Sequence, residues 1–195
     1  MTFKQLIAGA TFALITALPA HAATENYAID IKGQHAFIQF KIQHLGYSYE
    51  LGSFRTFDGQ FSYDDEKPSN NRVSVKIDTA SLDTNHAERD KHLRSDDFFD
   101  VAKYPESSFV STGYRDLGNG KGVLSGTFTL RGVSKALDIQ VHQVGAGKDP
   151  WGGFRRGFEG HATLHLSDYH MKKGAMLGPV AEEVEIYLSI EGVRQ

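Results

Sequence analysis

The stretch Ser81–Pro105, which reads SLDTNHAERDKHLRSDDFFDVAKYP, interrupts a chain whose remaining pattern is extended. Asn85 is a favourable helix N-cap, and Glu88 three residues later completes a capping-box-like start. The residues from there to Arg94 contain no Gly or Pro, and the final Pro of the stretch blocks further helix. We therefore predict one short helix, at about residues 85–95 and capped by Asn85, in an otherwise β chain.

Two roles are open for this helical segment. On pattern alone it is a polar surface crossover between two parts of a sheet, because its many charged residues favour solvent. The alternative is a lid or mouth element, in which Leu93, Phe98 and Phe99 plug an opening. Within the helix, Asp90 and Arg94 are four residues apart, and we expect them to pair on one face.

The N-terminal segment has the order of a secretory signal peptide. Lys4 supplies positive charge, Leu6–Leu18 is an apolar run of 13 residues, and Ala20–Ala22 fits an A-x-A cleavage site. A helix of that length is too short for a bilayer core of about 30 Å, so we expect no membrane span. We predict cleavage after Ala22, a periplasmic location and a single domain over residues 23–195.

Composition excludes several classes of function. The chain contains no cysteine, which rules out disulfides, thiol catalysis, c-type haem attachment and cysteine-ligated zinc. Its net charge is −3 at pH 7 with neutral histidines, so it lacks the basic footprint of a nucleic-acid-binding protein. We therefore expect no nucleic-acid partner, and stability has to come from burial of a core.

Outside the helical segment, apolar and polar residues alternate with a period of two. This pattern is typical of antiparallel strands that are apolar on one face and solvated on the other. It recurs in the runs Ala36–His44, Arg72–Thr79, Leu124–Leu130, Leu137–Val141, Ala162–Leu166 and Val184–Ile190. We expect about eight strands, enough to close a barrel just wide enough for side chains or one small ligand. A two-sheet sandwich fits the same alternation.

Short segments rich in turn formers separate these runs. Arg131–Ser134 (RGVS) joins two strong strands and predicts a tight hairpin. Gly145–Gly153 (GAGKDPWGG) is predicted to be a longer loop, and it carries the single tryptophan, Trp151.

The motifs of the common catalytic and cofactor sites are missing from the sequence. It has no G-x-S-x-G elbow, no G-x-x-x-x-G-K-[ST] phosphate loop and no H-E-x-x-H zinc helix. His86 and His92 would point about 240° apart on a regular helix, and His161 and His165 would lie about 13 Å apart along a strand. Neither pair can hold one ion alone, so we predict no metal site and no required cofactor.

Three sequence motifs match the pattern of a known protein family. The first follows the pattern D-T-x-x-x-x-R-D-x-H-L-R-S-x-D-F-F and then K-Y-P, between Asp83 and Pro105. The others are Gln43–Gly46, leading to Gly52–Phe54, and Thr129–Val133 with an L-x-G-V turn. With these motifs the chain resembles the YceI family of bacterial polyisoprenoid-binding periplasmic proteins, over essentially the whole region after residue 22.

The resemblance implies an all-β fold, an extended eight-stranded antiparallel lipocalin-like barrel that holds an isoprenoid-tailed lipid inside. The lipid would be of the polyprenyl or quinone type, and the protein would be a periplasmic carrier with no other cofactor. A homodimer is left open. Two other functions remain: an enzyme that acts on such a lipid through Arg89, Asp90 and His92, or a stress-related interaction protein with a solid interior.

The resemblance also points to the inward faces of the strands as the binding site. The predicted tunnel residues are Ile38, Phe40, Ile42, Phe61, Val75, Ile77, Phe128, Leu130, Ile139, Val141, Leu164, Leu166, Ile186 and Leu188. Taken singly, each of them is better explained as a plain core residue. The predicted mouth and head-group residues are Arg89, Asp90, His92, Phe98 and Phe99, with Trp151 closing one end.

Overall fold

The computed structural model describes residues 24–171 and 181–195. The expected signal peptide and its cleavage site after Ala22 lie outside these residues. Within the described residues, one α-helix accompanies eleven strands. The elements are β1 (Glu25–Ile29), β2 (Ala36–His44), β3 (Ser48–Phe54), β4 (Phe57–Tyr63), β5 (Arg72–Asp78), β6 (Leu82–Asp83), α1 (Ala87–Arg94), β7 (Glu106–Gly118), β8 (Lys121–Leu130), β9 (Val133–Lys148), β10 (Phe154–His165) and β11 (Glu183–Arg194).

Eight of these strands close into an antiparallel barrel. The ring runs β1-β4-β5-β7-β8-β9-β10-β11, and pairing of β1 with β11 closes it. Strand β11 is shared, because Val184–Ile190 pairs with β2 whereas Gly192–Arg194 pairs with β1. Strands β2, β3 and β6 continue the sheet from β11 as a branch. The predicted eight-stranded barrel is confirmed, and the sandwich alternative is wrong.

The barrel has two distinct ends. The helix end carries α1 and the turn between β8 and β9, where Gly132 lies against the ring of Tyr104. The turn end carries the β7–β8 turn at Asn119–Gly120, which lies beside the Asp64–Asn71 connection. Because neighbouring strands are antiparallel, every ring strand runs from one of these ends to the other.

The hairpin predicted at Arg131–Ser134 is confirmed. Leu130 pairs with Val133, which leaves Arg131 and Gly132 as a two-residue turn with φ of 50° and 74°. Positive φ at both positions is the signature of a type I′ turn, whose twist matches that of the flanking strands.

The loop predicted at Gly145–Gly153 is shorter than expected. Strand β9 continues to Lys148, and Gly145–Lys148 pairs with the start of β10. The ladder uses backbone groups only, so glycines can take part in it. Asp149 ends the strand, since its carboxylate accepts hydrogen bonds from the backbone N–H groups of Trp151 and Gly153.

The predicted helix is present, but its predicted cap is wrong. Helix α1 begins at Ala87, and the N-cap is His86, whose Nδ1 accepts a hydrogen bond from the Arg89 N–H at 3.2 Å. Asn85 lies outside the helix with φ of 61°, and its N–H donates to the carboxylate of Asp83. The left-handed backbone conformation of Asn85 turns the chain so that the next residue, His86, takes the N-cap position of the helix.

The predicted pairing of Asp90 with Arg94 is also wrong. The Asp90 carboxylate accepts hydrogen bonds from Thr84, while the Arg94 guanidinium donates to the backbone carbonyls of Ala80 and Leu82. Both charges turn toward the β6 segment that packs beneath α1. No helix among the described residues is long and apolar enough to cross a membrane.

Candidate functional site

A cavity of about 390 Å³ occupies the interior of the barrel. All the apolar side chains predicted to face inward line it: Ile38, Phe40, Ile42, Phe61, Val75, Ile77, Phe128, Leu130, Ile139, Val141, Leu164, Leu166, Ile186 and Leu188. The structure therefore brings this set together around one space. Its volume lies within the range of about 300–1,000 Å³ typical of ligand pockets. Contact of these residues with a ligand stays a prediction.

Strand register explains why the cavity is apolar on all sides. Ile38 lies opposite Leu188 and Phe40 opposite Ile186 across the β2–β11 ladder. Alternate residues of a strand point to one face, so this register keeps the whole apolar set of both strands inside the barrel. The cavity reaches along β10 from Phe158 to Leu164, a rise of about 20 Å. The space is consequently long as well as apolar.

Several lining residues were missed from the sequence. Val73, Leu124, Leu137, Val184 and Ile190 belong to the alternating faces that the period of two identified, but they were not included in the predicted tunnel set. Phe54, Phe109, Phe158 and Met171 lie on strands or connections whose direction the pattern did not reveal. Phe158 in particular sits at a register shift between β9 and β10, which breaks the simple alternation.

Polar side chains line the cavity at its helix end. They come from β2, β3 and the segment around α1: His44, Glu50, Thr84, Arg89 and His92. The side chain of His92 is 58% exposed, although it also lines the cavity. This end is therefore where the cavity meets solvent, and we call this polar group, His44, Glu50, Thr84, Arg89 and His92, the mouth.

Within the mouth, the Arg89 guanidinium is fully engaged. Its Nη1 lies 2.5 Å from a carboxylate oxygen of Glu50, and its Nε and Nη2 donate to Oγ1 and the carbonyl of Thr84, each at 2.8 Å. The ring of His92 lies 3.1 Å from Asp97 and packs edge-on against Phe98. The structure thus places Arg89 and His92 in the lining, but each already has an anionic neighbour.

Asp90, which the sequence suggested as a head-group residue, is not part of the mouth. It is buried, it does not line the cavity, and its Oδ1 accepts hydrogen bonds from Thr84 N at 2.9 Å and Thr84 Oγ1 at 2.6 Å. The carboxylate therefore ties α1 to the chain just before it. Sequence spacing alone had suggested a partner within the helix.

Apolar side chains in and just after α1 line the helix end beside the mouth. Leu93, Phe98 and Phe99 all line the cavity, and Phe99 packs edge-on against Phe54 of β3 at 5.7 Å. The mouth-element interpretation of the helical segment therefore describes its position better than a purely solvated crossover.

Trp151 does not close the other end of the barrel. It is 77% exposed, lies outside the cavity lining and stacks near the guanidinium of Arg155. Arg156 lies at the turn end instead, and its guanidinium is 3.7 Å from the centre of the Tyr63 ring. Tyr63 does line the cavity. Burial raises the pKa of Tyr63, so its hydroxyl is neutral at this end.

Arg156 is itself held by polar partners. It donates to the Tyr27 hydroxyl at 3.2 Å, to Gln143 at 3.1 Å and to Glu25 at 3.3 Å. Burial and the hydrogen bond to Glu25 raise the pKa of Tyr27, while that bond lowers the pKa of Glu25. A buried cation needs such a set of partners, so this cluster fixes the position of Arg156 at the turn end.

One cluster has the composition of a metal site. Asp30, His35 and Glu191 bring their ligand atoms within 4.8 Å of one another, and the sequence did not suggest it. However, Arg155 Nη1 lies 2.6 Å from Asp30 and 2.5 Å from Glu191. The guanidinium supplies the positive charge that a metal would bring and, as the main cause, lowers the pKa of Asp30 to about 2. The cluster is an ion-pair network on the barrel wall.

Known proteins match this chain over nearly its whole length. A family profile described as YceI-like domain matches residues 27–192. A UPF0312 protein of Shewanella sp. (strain MR-7) is 51% identical over 192 residues, which cover 98% of this chain and 99% of the relative. A UPF0312 protein of Photorhabdus laumondii is 50% identical over 192 residues, with 98% of each chain covered.

Solved structures share the barrel. The Campylobacter jejuni YCEI protein matches with a TM-score of 0.71 at 28% identity, over 79% of this chain and 90% of its own. Burkholderia cenocepacia BcnA matches with 0.73 at 21% identity, over 84% and 98%. A polyisoprenoid binding domain from Saccharophagus degradans, implicated in plant cell wall breakdown, matches with 0.64 at 17% identity, over 87% and 98%. The last two likenesses concern the fold alone.

Proposed function

The chain belongs to the family of YceI-like domains, and we propose that it binds one isoprenoid-tailed lipid inside its barrel. The observation that carries this proposal is the long apolar cavity lined by the inward faces of the strands. A solid interior would leave no such space, so the cavity argues against the interaction protein with a filled core. A domain of the same fold from Saccharophagus degradans is a polyisoprenoid binding domain, so a barrel of this fold can serve such a ligand.

An isoprenoid tail matches the chemistry of this cavity. The tail has no hydrogen-bonding group, and the cavity wall between its two ends offers almost none. Each five-carbon unit moved out of water contributes roughly 4 kcal/mol of transfer free energy, at about 0.8 kcal/mol per buried carbon. Part of that gain is offset by the freedom that the tail loses on binding. Burial of the tail therefore supplies the affinity, while the mouth selects the head group.

The charges at the mouth favour a neutral head group, such as a quinone or a polyprenol. Arg89 is neutralised by Glu50, and its donors are directed to Glu50 and Thr84 rather than to a phosphate. A phosphate brought to the mouth would also face the Glu50 carboxylate at short range, which is unfavourable. A neutral carbonyl or hydroxyl group needs only a single hydrogen bond, and the imidazole of His44, which lines the mouth, has a ring nitrogen that can provide one.

We propose that the protein binds this lipid without transforming it. The enzyme alternative depended on Arg89, Asp90 and His92 acting together. Asp90 does not line the cavity, and its carboxylate is bonded to Thr84, so the three side chains are not arranged to act together on a ligand held there. With the predicted signal peptide, the proposed role is a periplasmic carrier that shields the tail between membranes.

Lipid extraction tests the proposed function. The purified protein is extracted with organic solvent, and the extract is analysed by mass spectrometry for a series of prenyl chains. The delipidated protein is then melted with and without an added polyprenol or quinone. We expect a bound isoprenoid and a rise in melting temperature, because a ligand that binds only the folded state stabilises it. An extract without isoprenoid, together with no thermal shift for either lipid, would overturn the proposal.

The test needs a matched pair of variants. Val75 lines the cavity, whereas Val110 lies on the outer face of β7 and is 51% exposed. Val75→Phe should lose the lipid-dependent shift, and Val110→Phe, which adds the same ring outside, should keep it. Incubating the loaded protein and finding the extracted lipid chemically unchanged separates a carrier from an enzyme.

A further inference from the structure

The hairpin of β2 and β3 exposes large apolar side chains at its tip. Tyr47 is 88% exposed, Leu45 48% and Tyr49 56%, and Leu51 next to them is 64% exposed. Leu45 and Gly46 form the turn with φ of 51° and 82°, and Tyr47 N–H donates to the His44 carbonyl. A tight turn of this kind holds its side chains out in solvent, where exposing them costs free energy unless a partner covers them.

The same hairpin carries part of the mouth. His44 and Glu50 alternate with the exposed residues and point inward, so they line the cavity. The hairpin tip, defined as residues 43–49, therefore stands directly beside the opening through which a ligand would enter. Whatever covers the tip is brought next to the cavity.

The hairpin tip carries none of the four charged residue types. Residues 43–49 read QHLGYSY and contain no Asp, Glu, Lys or Arg. Beside them, Lys41 lies over the ring of Tyr49 at 4.6 Å and pairs with Glu185 at 2.8 Å. A segment without formal charge can enter the boundary of a bilayer without the cost of desolvating a charged side chain.

The size and composition of the tip also distinguish its partners. A stable protein–protein interface usually buries about 800 Å² on each side. The few side chains of one hairpin tip fall short of that area. Tyr and Leu at a narrow projection are, however, well suited to the boundary between head groups and acyl chains, where an aromatic ring stays apolar and its hydroxyl stays wet.

We propose that the β2–β3 hairpin tip docks the protein on a lipid bilayer and sets the mouth of the barrel against the membrane surface. Leu45 and Tyr47 enter the boundary region, and Lys41 stays at the level of the head groups. The purpose of this docking rests on the proposed function, since an isoprenoid lipid would otherwise have to cross water to reach the cavity. The docking itself needs no isoprenoid, and it is tested without one.

Fluorescence can report on each end of the molecule separately. The single tryptophan, Trp151, lies in the loop after β9, at the end opposite the hairpin tip. In a Trp151→Phe background, Tyr47→Trp places a reporter on the tip. With vesicles of phosphatidylethanolamine and phosphatidylglycerol, we expect a blue shift in the emission of the Tyr47→Trp variant and quenching by brominated acyl chains. Trp151 in the natural protein should keep its emission under the same conditions.

Vesicle flotation gives the matched comparison. Leu45→Ser should weaken binding to these vesicles by roughly tenfold, as expected for an apolar side chain that is buried on docking. The control is Leu117→Ser, because Leu117 is 55% exposed on β7 near the turn end. This change should leave vesicle binding unaltered. Circular dichroism of both variants shows whether the barrel is intact.

Three results would overturn the proposal: no flotation of the natural protein with vesicles, equal quenching at positions 47 and 151, or equal losses for Leu45→Ser and Leu117→Ser. A dimer in analytical ultracentrifugation that Leu45→Ser dissociates would assign the tip to a second copy of this chain and overturn it as well. Isoprenoid binding is measured separately on the same proteins. If the protein floats with vesicles but holds no isoprenoid, the docking proposal stands and the proposed function fails. If the protein holds an isoprenoid but does not float, the proposed function stands and the docking proposal fails.

Discussion

The ring of Phe40 lies directly across Gly52, its cross-strand partner in the β2–β3 ladder. A Cβ atom built at position 52 would overlap that ring, so the absence of a side chain lets Phe40 fold back onto the sheet. Phe109 covers Gly126 and Phe61 covers Gly192 in the same way. These three rings lie flat against the barrel wall, which leaves the interior free for the cavity that all three line.

Gly52→Ala should therefore narrow the cavity at Phe40. The added methyl group displaces the ring inward, and we expect weaker isoprenoid binding together with a loss of about 1–3 kcal/mol in stability. Thermal melts with and without lipid provide the measurement. Gly113→Ala is the control, since a Cβ there meets no atom within 4 Å. If Gly52→Ala binds lipid as well as the natural protein, Phe40 does not shape the ligand space.

Val75→Phe and Ala36→Phe should behave oppositely. Val75 lines the cavity, so an added ring has room and the delipidated variant should keep its stability while losing the lipid-dependent rise in melting temperature. Ala36 is buried in a packed cluster and does not line the cavity, so Ala36→Phe should cost about 1–3 kcal/mol by overpacking. Equal destabilisation of the two delipidated variants in chemical denaturation would show that the interior is filled.

Asp90→Ala should weaken the fold and leave lipid binding intact. The substitution leaves the buried Thr84 N–H and hydroxyl without their acceptor, at a cost of about 1–3 kcal/mol. Glu88→Ala, on the exposed face of the same helix, is the control and should change stability little. Denaturant midpoints and lipid binding are measured on the same samples. Normal stability with lost binding would restore Asp90 as a head-group residue.

His86→Ala should remove the cap of α1. His86 Nδ1 accepts the Arg89 N–H, and loss of a capping group costs about 1 kcal/mol. Asn85→Gly should be tolerated, because Asn85 has a positive φ that glycine adopts freely. Urea midpoints of both variants decide the point. A midpoint of His86→Ala identical to that of the natural protein would return the cap to Asn85.

Stability should fall in acid partly through Asp30. Its pKa is held to about 2, chiefly by Arg155 and then by His35, below the ordinary value of an unfolded Asp. The ionised carboxylate therefore stabilises the fold above about pH 4, and this contribution is lost as the pH falls through about 2. Asp30→Asn should be less stable at neutral pH and show a flatter acid limb in denaturation curves. Asp138→Asn, on an exposed position of β9, is the comparison, and parallel acid limbs for all three proteins would contradict the assignment.

Much of the barrel could be predicted because its determinants are local. The period of two identifies which side chains share a face, and all the apolar residues predicted from β2, β4, β5, β8, β9, β10 and β11 line the cavity. The Arg131–Gly132 turn was equally predictable, since a two-residue connection between strands demands positive φ. The resemblance added the closed barrel, which alternation could not distinguish from a sandwich.

The errors lie where residues outside the helix or loop in question supply the contact that the local pattern had assigned within it. Spacing within the helix suggested Arg94 as the partner of Asp90, but the chain before α1 brings Thr84 closer. Asn85 has the composition of a cap, but the turn at Asp83 commits its backbone to a left-handed conformation and passes the role to His86. Trp151 was expected to close the barrel, but Arg156 and Tyr63 occupy that end.

The sequence by itself determined the strands, their inward faces and the short helix, because side-chain alternation and helix propensity act between near neighbours. Only the tertiary structure decided whether the interior is hollow. An inward apolar residue has the same pattern in a solid core and in a tunnel wall. The outcome depends on how far the ring of strands holds opposite walls apart, and on glycines such as Gly52 that let rings such as Phe40 lie flat. Those distances arise from closure between β1 and β11, at opposite ends of the domain.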